Sequence, residues 1–159
     1  MTSRTWVPEA DVSRPKVTRN AEPMLMYLVK QVELAVRSSL DDLLRPDALT
    51  ALQYTALTAL EHHPDISSAQ LARNSFVTAQ TMADMVRALE DRGLVERHRD
   101  PADRRRLVLA LTADGRALLR RYRGPVAELE KRMLAGLTAG EEAELRHGLN
   151  ACRVSLTGP

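Results

Sequence analysis

Apolar residues recur every three or four positions over most of this chain and alternate in one short stretch only. The first spacing marks an amphipathic helix, the second a strand with one buried face. Leu25, Leu28, Val32, Ala35 and Leu43 predict a first helix over 22–44, with Pro23 in its first turn and Pro46 just beyond its end. Leu52, Ala56, Leu57 and Leu60 predict a second over 50–62, capped by Thr50 and stopped by Pro64. Ser67 followed three residues later by Gln70 has the capping-box form and opens a short helix to about Arg73. Residues 74–77 read as a turn. Thr78 then caps a longer helix to Arg92, ended by Gly93. That helix carries Met82, Met85, Val86 and Leu89 on one face, and Gln80, Thr81, Asp84, Arg87 and Ala88 on the other.

Residues 94–99 and 107–111 read as two short strands around the turn-forming run Asp100-Pro101-Ala102-Asp103. The alternation of Leu107, Leu109 and Leu111 predicts one buried face. Thr112 caps a long helix with the stripe Leu119, Tyr122, Val126, Leu129 and Met133, and Pro125 inside it predicts a kink. Thr138 and Glu141 form a further capping box. It opens a last helix with Leu145, Leu149, Cys152 and Leu156 in line. Residues 1–20 hold Pro8, Pro15 and no sustained period. They read as an arm, in which Trp6 is a group able to dock on a surface.

Composition narrows the function. A chain of 159 residues, 44% hydrophobic and 28% charged, fits one domain with a sizeable core. The net charge of +2 rules out a polycation but not a local basic patch. Arginine supplies 20 of the 23 basic residues. Its planar fork suits phosphate and guanine, although a GC-rich genome gives the same bias. The single cysteine leaves no intramolecular disulfide and no cysteine metal cluster. No run of 18 apolar residues offers a membrane span. The start of the chain carries charges and prolines where a signal peptide has an apolar core, so the expected compartment is the cytoplasm. No Ser-His-Asp, paired-carboxylate or phosphate-loop constellation stands out, and Asp100 and Asp103 lie in an exposed turn; no enzyme and no cofactor are expected. His62 and His63 are adjacent and point about 100° apart on a helix, so no metal is expected either.

The two-helix unit and the ribbon together point to DNA. The helix over 78–92 has a face suited to the major groove, where glutamine can pair with an adenine edge and threonine can touch a thymine methyl. Thr78, Gln80 and Thr81 sit at its start, with Asp84 and Arg87 following, and Ser67 and Ser68 open the helix before it. Free backbone N–H groups at a helix start favour phosphate. Taken alone, such a helix also fits an ordinary solvated face. The ribbon shifts the balance, because Arg97, Arg99, Arg104, Arg105 and Arg106 cluster within ten residues. A narrow minor groove attracts an inserted arginine. Asp103 stands two residues before Arg105 and can hold that guanidinium extended through a charge-assisted hydrogen bond.

At this point the chain resembles the MarR family of winged helix-turn-helix regulators. The resemblance rests on Leu71-Ala72, on the run from Leu89 to Arg97, on Asp100-Pro101-Ala102-Asp103-Arg104-Arg105, and on the run from Leu109 to Gly115; it covers about residues 22–157. It implies a mainly α fold: a winged helix-turn-helix over 49–111 with a two-stranded wing, and a helical dimerisation region over 21–48 and 112–157, behind the arm. A two-fold homodimer would present two recognition helices about 34 Å apart to a pseudo-palindromic duplex. The resemblance places residues 78–87 in the major groove and Arg105 in the minor groove, oriented by Asp103, with Arg99, Arg104 and Arg106 beside it. Two departures are Ala79, where proline is frequent, and Phe76, where many relatives have glycine; Phe76 is expected to pack inward.

The function implied is a dimeric repressor released by a small aromatic or anionic effector between the two halves. Tyr27, Arg37, Tyr54 and His62, with His63, could line such a site; each also fits an ordinary surface or core position. A peroxide-sensing branch needs a cysteine near the first helix, and this chain has none there. Cys152 reads instead as a packed core or interface thiol. A urate-responsive branch needs an acidic group near Thr55, which cannot supply one. The alternative is a dimeric small-molecule-binding or interaction module without specific DNA binding.

Overall fold

The computed structural model describes residues 23–157. The expectations for the arm and Trp6 lie outside the described residues. The elements are α1 (Leu25–Leu44), a 3-10 turn (Arg45–Asp47), α2 (Ala51–His62), α3 (Ser68–Asn74), α4 (Ala79–Asp91), β1 (Val95–Arg99), β2 (Leu107–Leu111), α5 (Ala113–Leu134) and α6 (Ala139–Thr157).

Polar caps set the helix starts. Thr50 and Gln53 form a complete capping box on α2. Ser67, Thr78 and Thr112 each accept the backbone N–H three residues on, and Glu141 accepts from the N–H of Thr138 at 2.8 Å. Such caps contribute about 1 kcal/mol each. The Ser67 cap is half a box, since the Gln70 side chain turns to Arg73 and Asn74 instead. α1 begins later than the periodicity implied. Met24 is its extended N-cap, and Pro23 precedes the helix. α5 runs through Pro125 without interruption. Gly124 and Pro125 are exposed there, so the carbonyl that loses its helical donor is open to water.

The core gathers Leu44 from α1, Leu57 and Leu60 from α2, Leu71 from α3, Met82, Val86 and Leu89 from α4, Leu109 from β2 and Leu119 from α5. β1 and β2 pair antiparallel, from Val95 opposite Leu111 to Arg99 opposite Leu107. On the other side of β2, the Leu109 N–H donates to the Ile66 carbonyl at 2.9 Å, and the Asp65 N–H donates to the Leu109 carbonyl at 3.2 Å. β2 therefore lies between two chain segments. This corrects the expected alternation: Val108 and Leu109 are both buried, while Leu107 is 52% exposed.

β2 passes into α5 at a tight junction. Thr112 donates its hydroxyl to the Gly93 carbonyl at 2.6 Å and its N–H to the Leu94 carbonyl at 3.2 Å. Gly115 then approaches so closely that a Cβ built on it would stand 2.2 Å from the Leu94 carbonyl oxygen. Gly93 itself adopts φ +67°, the left-handed conformation that ends α4.

A second junction ties α5 to the start of the winged region. The Tyr122 hydroxyl donates to the Asp47 carboxylate, and Arg121 pairs with the same group. Arg92, the residue ending α4, donates to the carbonyls of Asp47 at 2.6 Å and Ala48 at 3.2 Å. The Tyr122 ring meets Tyr54 of α2 edge-on at 6.4 Å. The Tyr122 hydrogen bond, followed by the Arg121 contact, holds the Asp47 carboxyl below its ordinary range. A lowered carboxyl pKa stabilises the fold above pH 4 and loses that effect as pH falls through the folded value. Tyr122→Phe should therefore cost about 1 kcal/mol at neutral pH. Urea unfolding at pH 7 and pH 3 checks this: the gap from wild type should narrow at pH 3, and a constant gap would assign the loss to packing.

The remaining large apolar residues face outward. Leu25, Met26, Tyr27, Val29 and Val32 of α1 are more than half exposed, and α6 buries no side chain, with Leu145, Leu149 and Leu156 open. Cys152 is exposed too, so within one chain it is not a core thiol. In the winged region only Phe76 and Leu107 are large, apolar and exposed among the described residues.

Candidate nucleic-acid interface

α4 presents the polar face expected of it. Thr78 caps the helix: its hydroxyl accepts the Thr81 N–H at 3.1 Å and lies 2.8 Å from the Thr81 hydroxyl. One turn on, the Gln80 amide nitrogen is 3.1 Å from both Asp84 carboxylate oxygens, and Arg87 approaches Asp84 at 3.4 Å. All three side chains are exposed. Asp84 is thus an organiser within the helix. It draws the Gln80 amide nitrogen toward itself, which leaves the Gln80 carbonyl oxygen as the outward acceptor. Ser67 accepts from the Gln70 N–H at 3.2 Å, and both Ser67 and Ser68 are half-buried.

The wing tip is pinned by two aspartates. Asp100 accepts the Ala102 N–H at 2.8 Å, and Asp103 accepts the Arg105 N–H at 3.0 Å. Both are turns in which a short side chain reaches the amide two residues on. Backbone bonds from the Asp100 N–H to the Arg106 carbonyl (3.0 Å) and from the Arg106 N–H to the Asp103 carbonyl (2.9 Å) close the loop. Asp103 therefore holds the backbone of Arg105, which corrects the expected bond to its guanidinium. The carboxylate reaches the nearby amide before it could meet the end of a long side chain. Asp100 pairs with Arg106 at 3.4 Å, and Arg99 donates to the Arg104 carbonyl at 2.6 Å. Among the described residues, the Arg104 and Arg105 guanidinium groups have no hydrogen bond or ion pair. Two cations are thus free on a fixed turn. Arg97 is withdrawn from the patch, since Glu90 of α4 binds it at 2.9 Å.

Phe76 does not pack inward. It adopts φ +53° and is 76% exposed. The Val77 N–H returns to the Ala72 carbonyl at 3.1 Å and seats Val77 against the core, so the residue before it projects outward.

The four effector candidates do not converge. Tyr27 is exposed on α1, Arg37 pairs with Glu33 at 2.7 Å, and His62 is exposed at the end of α2. Tyr54 alone joins a cluster, with Tyr122. Among the described residues, no hydrogen bond or ring contact links the four. A cavity of about 150 Å³ between α5 and α6, lined by Met133, Leu145 and Leu149, contains none of them. The Asp47–Tyr122–Arg92 junction was invisible in the sequence, because its partners lie 75 and 45 residues apart with no local signal.

The MarR family model matches residues 49–107. Over 125 residues the chain is 38% identical to the HTH-type transcriptional repressor Rv2887 of Mycobacterium tuberculosis, a match spanning 79% of this chain and 90% of that protein. The structure of that MarR family protein in complex with salicylic acid covers 82% of this chain and 97% of its own at 37% identity, with a TM-score of 0.67. A Staphylococcus aureus MepR–DNA complex shares the fold at 24% identity, with a TM-score of 0.73 over 84% of this chain and 99% of that one. The likeness to the mycobacterial repressor reaches well beyond residues 49–107 into the flanking helices, and the chain belongs to the MarR family.

Proposed function

We propose that the protein is a dimeric, sequence-specific DNA-binding repressor whose hold on its operator is released by a small aromatic or anionic effector. The observation that carries this reading is the wing: Arg104 and Arg105 stand unpaired on a turn that Asp100 and Asp103 fix. A rigid turn limits the ordering cost of placing an arginine in a minor groove. α4 supplies the major-groove element through Thr78, Gln80, Thr81 and Arg87, and α3 brings Ser67 and Ser68 to the phosphates. The helical region over 21–48 and 112–157 forms the dimer. Its support is the set of large apolar side chains that α1 and α6 leave exposed, the kind of surface that marks an interaction site.

The effector class is drawn from the relative bound to salicylic acid. The Asp47–Tyr122–Arg92 junction supports a coupling between halves, because it joins α5 to the end of α4. Regulation without catalysis, in the cytoplasm, completes the reading.

The test uses the duplex upstream of the protein's own gene against a scrambled duplex at two salt concentrations. Selective binding that weakens steeply with salt is expected, and salicylate should weaken it further. No binding even at low salt would reject the repressor and favour a module that binds small molecules alone.

A further inference from the structure

We propose that Phe76 is an apolar DNA contact, packing its ring on the deoxyribose carbons of the backbone that borders the groove occupied by α4. The proposal rests on the DNA-binding reading above and adds a residue to it. Phe76 is the only phenylalanine in the chain. It sits two residues before Thr78, the cap of α4, so any duplex that receives the start of that helix passes close to the ring. The residue is 76% exposed at φ +53°.

Both features disfavour phenylalanine here. An exposed ring contributes nothing to the core. A left-handed backbone strains every residue with a Cβ except the few that tolerate it, asparagine among them. Ala48 and Asp65 share that backbone, but of the three only Phe76 is also a large exposed apolar side chain, and the two costs kept together at one residue point to a use there. The distribution of exposed apolar side chains indicates which use. Apart from α1 with its N-cap Met24, α5, α6 and the linker between α5 and α6, only Phe76 and Leu107 are large, apolar and exposed among the described residues. Phe76 adjoins α4 and Leu107 adjoins Arg106, so both flank the DNA-facing elements. The occupant is therefore the duplex. The ring adds apolar area that needs no particular base.

The experiment uses the full chain and a duplex of roughly 25 bp, long enough for two half-sites, enriched from a randomised library by the wild-type protein. Phe76→Gly and Phe76→Asn both remove the ring and both accept the left-handed backbone, so neither endangers folding. Each should raise the Kd for the duplex roughly tenfold. The slope of log Kd against log salt should stay unchanged, because no phosphate contact is lost. The Tm of free Phe76→Gly should rise by a few degrees as the strain is relieved. Phe76→Leu should retain most of the affinity. Weaker binding from an equally or more stable protein is a combination that a merely structural residue does not give.

Wild-type affinity in both ring-less variants would overturn the proposal. So would a weakened dimer, which would assign the ring to the contact between protomers, or a shallower salt slope, which would assign the loss to phosphates. Replacing thymine by uracil in the duplex should change nothing. A matching loss there would show that the ring reads a thymine methyl and not the sugar. Arg105→Ala on the same duplex separates the two levels: if it too leaves Kd unchanged, the DNA interface itself is misplaced and the Phe76 contact falls with it.

Discussion

Gly115→Ala is expected to destabilise the fold by about 3 kcal/mol or more, a size associated with backbone clashes in a packed interior. The added Cβ would stand 2.2 Å from the Leu94 carbonyl oxygen, 3.1 Å from its carbon and 3.3 Å from a methyl of Leu111. The methyl could swing aside. The carbonyl cannot, because it accepts the Thr112 N–H and lies between Gly93, which ends α4, and Val95, which begins β1. Gly115 is equally fixed, since its N–H donates to the Thr112 cap at 3.0 Å. Relief would require α5 to move away from the root of the wing. Urea unfolding with circular dichroism measures the loss, and a variant as stable as wild type would mean that the junction is looser than its geometry implies. DNA binding should fall along with stability, because the same junction sets where the wing stands relative to α4.

Arg105→Ala should leave stability intact and lower operator affinity. A lost arginine contact in a groove costs about 1–3 kcal/mol, so a dimer with two wings should lose at least tenfold. The salt dependence should become shallower by about one unit for each ionic contact removed. Arg106→Ala should cost less, because Asp100 already engages that guanidinium. Asp103→Ala is the informative companion. Simple electrostatics predicts tighter binding once a negative charge is gone. The structure predicts weaker binding, because the bond from the Arg105 N–H to Asp103 holds the turn that aims Arg105. Fluorescence anisotropy with a labelled operator decides between them, and a tighter complex would reduce Asp103 to a repulsive surface charge.

These expectations draw unequally on the sequence. The capped helices, the strands and the arginine tip were legible because each is a local pattern: Thr50, Ser67, Thr78 and Thr112 each act on an amide three residues away. The buried face of α4 was legible for the same reason. Errors arose where a distant segment decided the outcome. Val108 is buried because residues 65–66 return to the far edge of β2, which the alternation of Leu107 to Leu111 could not announce. Phe76 points outward because Val77 claims the place on the core. The role of Asp103 was misassigned at shorter range, where an amide two residues on competes successfully with the guanidinium of the same residue. The expected effector residues were the least legible part: Tyr27, Arg37, Tyr54 and His62 share no hydrogen bond or ring contact among the described residues, and a site assembled from separate elements leaves no periodic trace.

The polar anchorage of α4 at Arg92, reinforced by the bond between Glu90 and Arg97, has a mechanical consequence. With 13 residues rising 1.5 Å each, the helix is about 20 Å long. It is held by polar bonds at its far end, while its other end carries Thr78 and Gln80, the residues proposed to read bases. A rotation of about 5° at the anchor would carry the tip nearly 2 Å, well beyond the tolerance of a hydrogen bond. For a tilt of the whole helix on the core seat made by Met82, Met85, Val86 and Leu89, a small displacement beside Asp47 would be enlarged along the shaft of α4, and a loss at the operator would need no comparable movement where the displacement began.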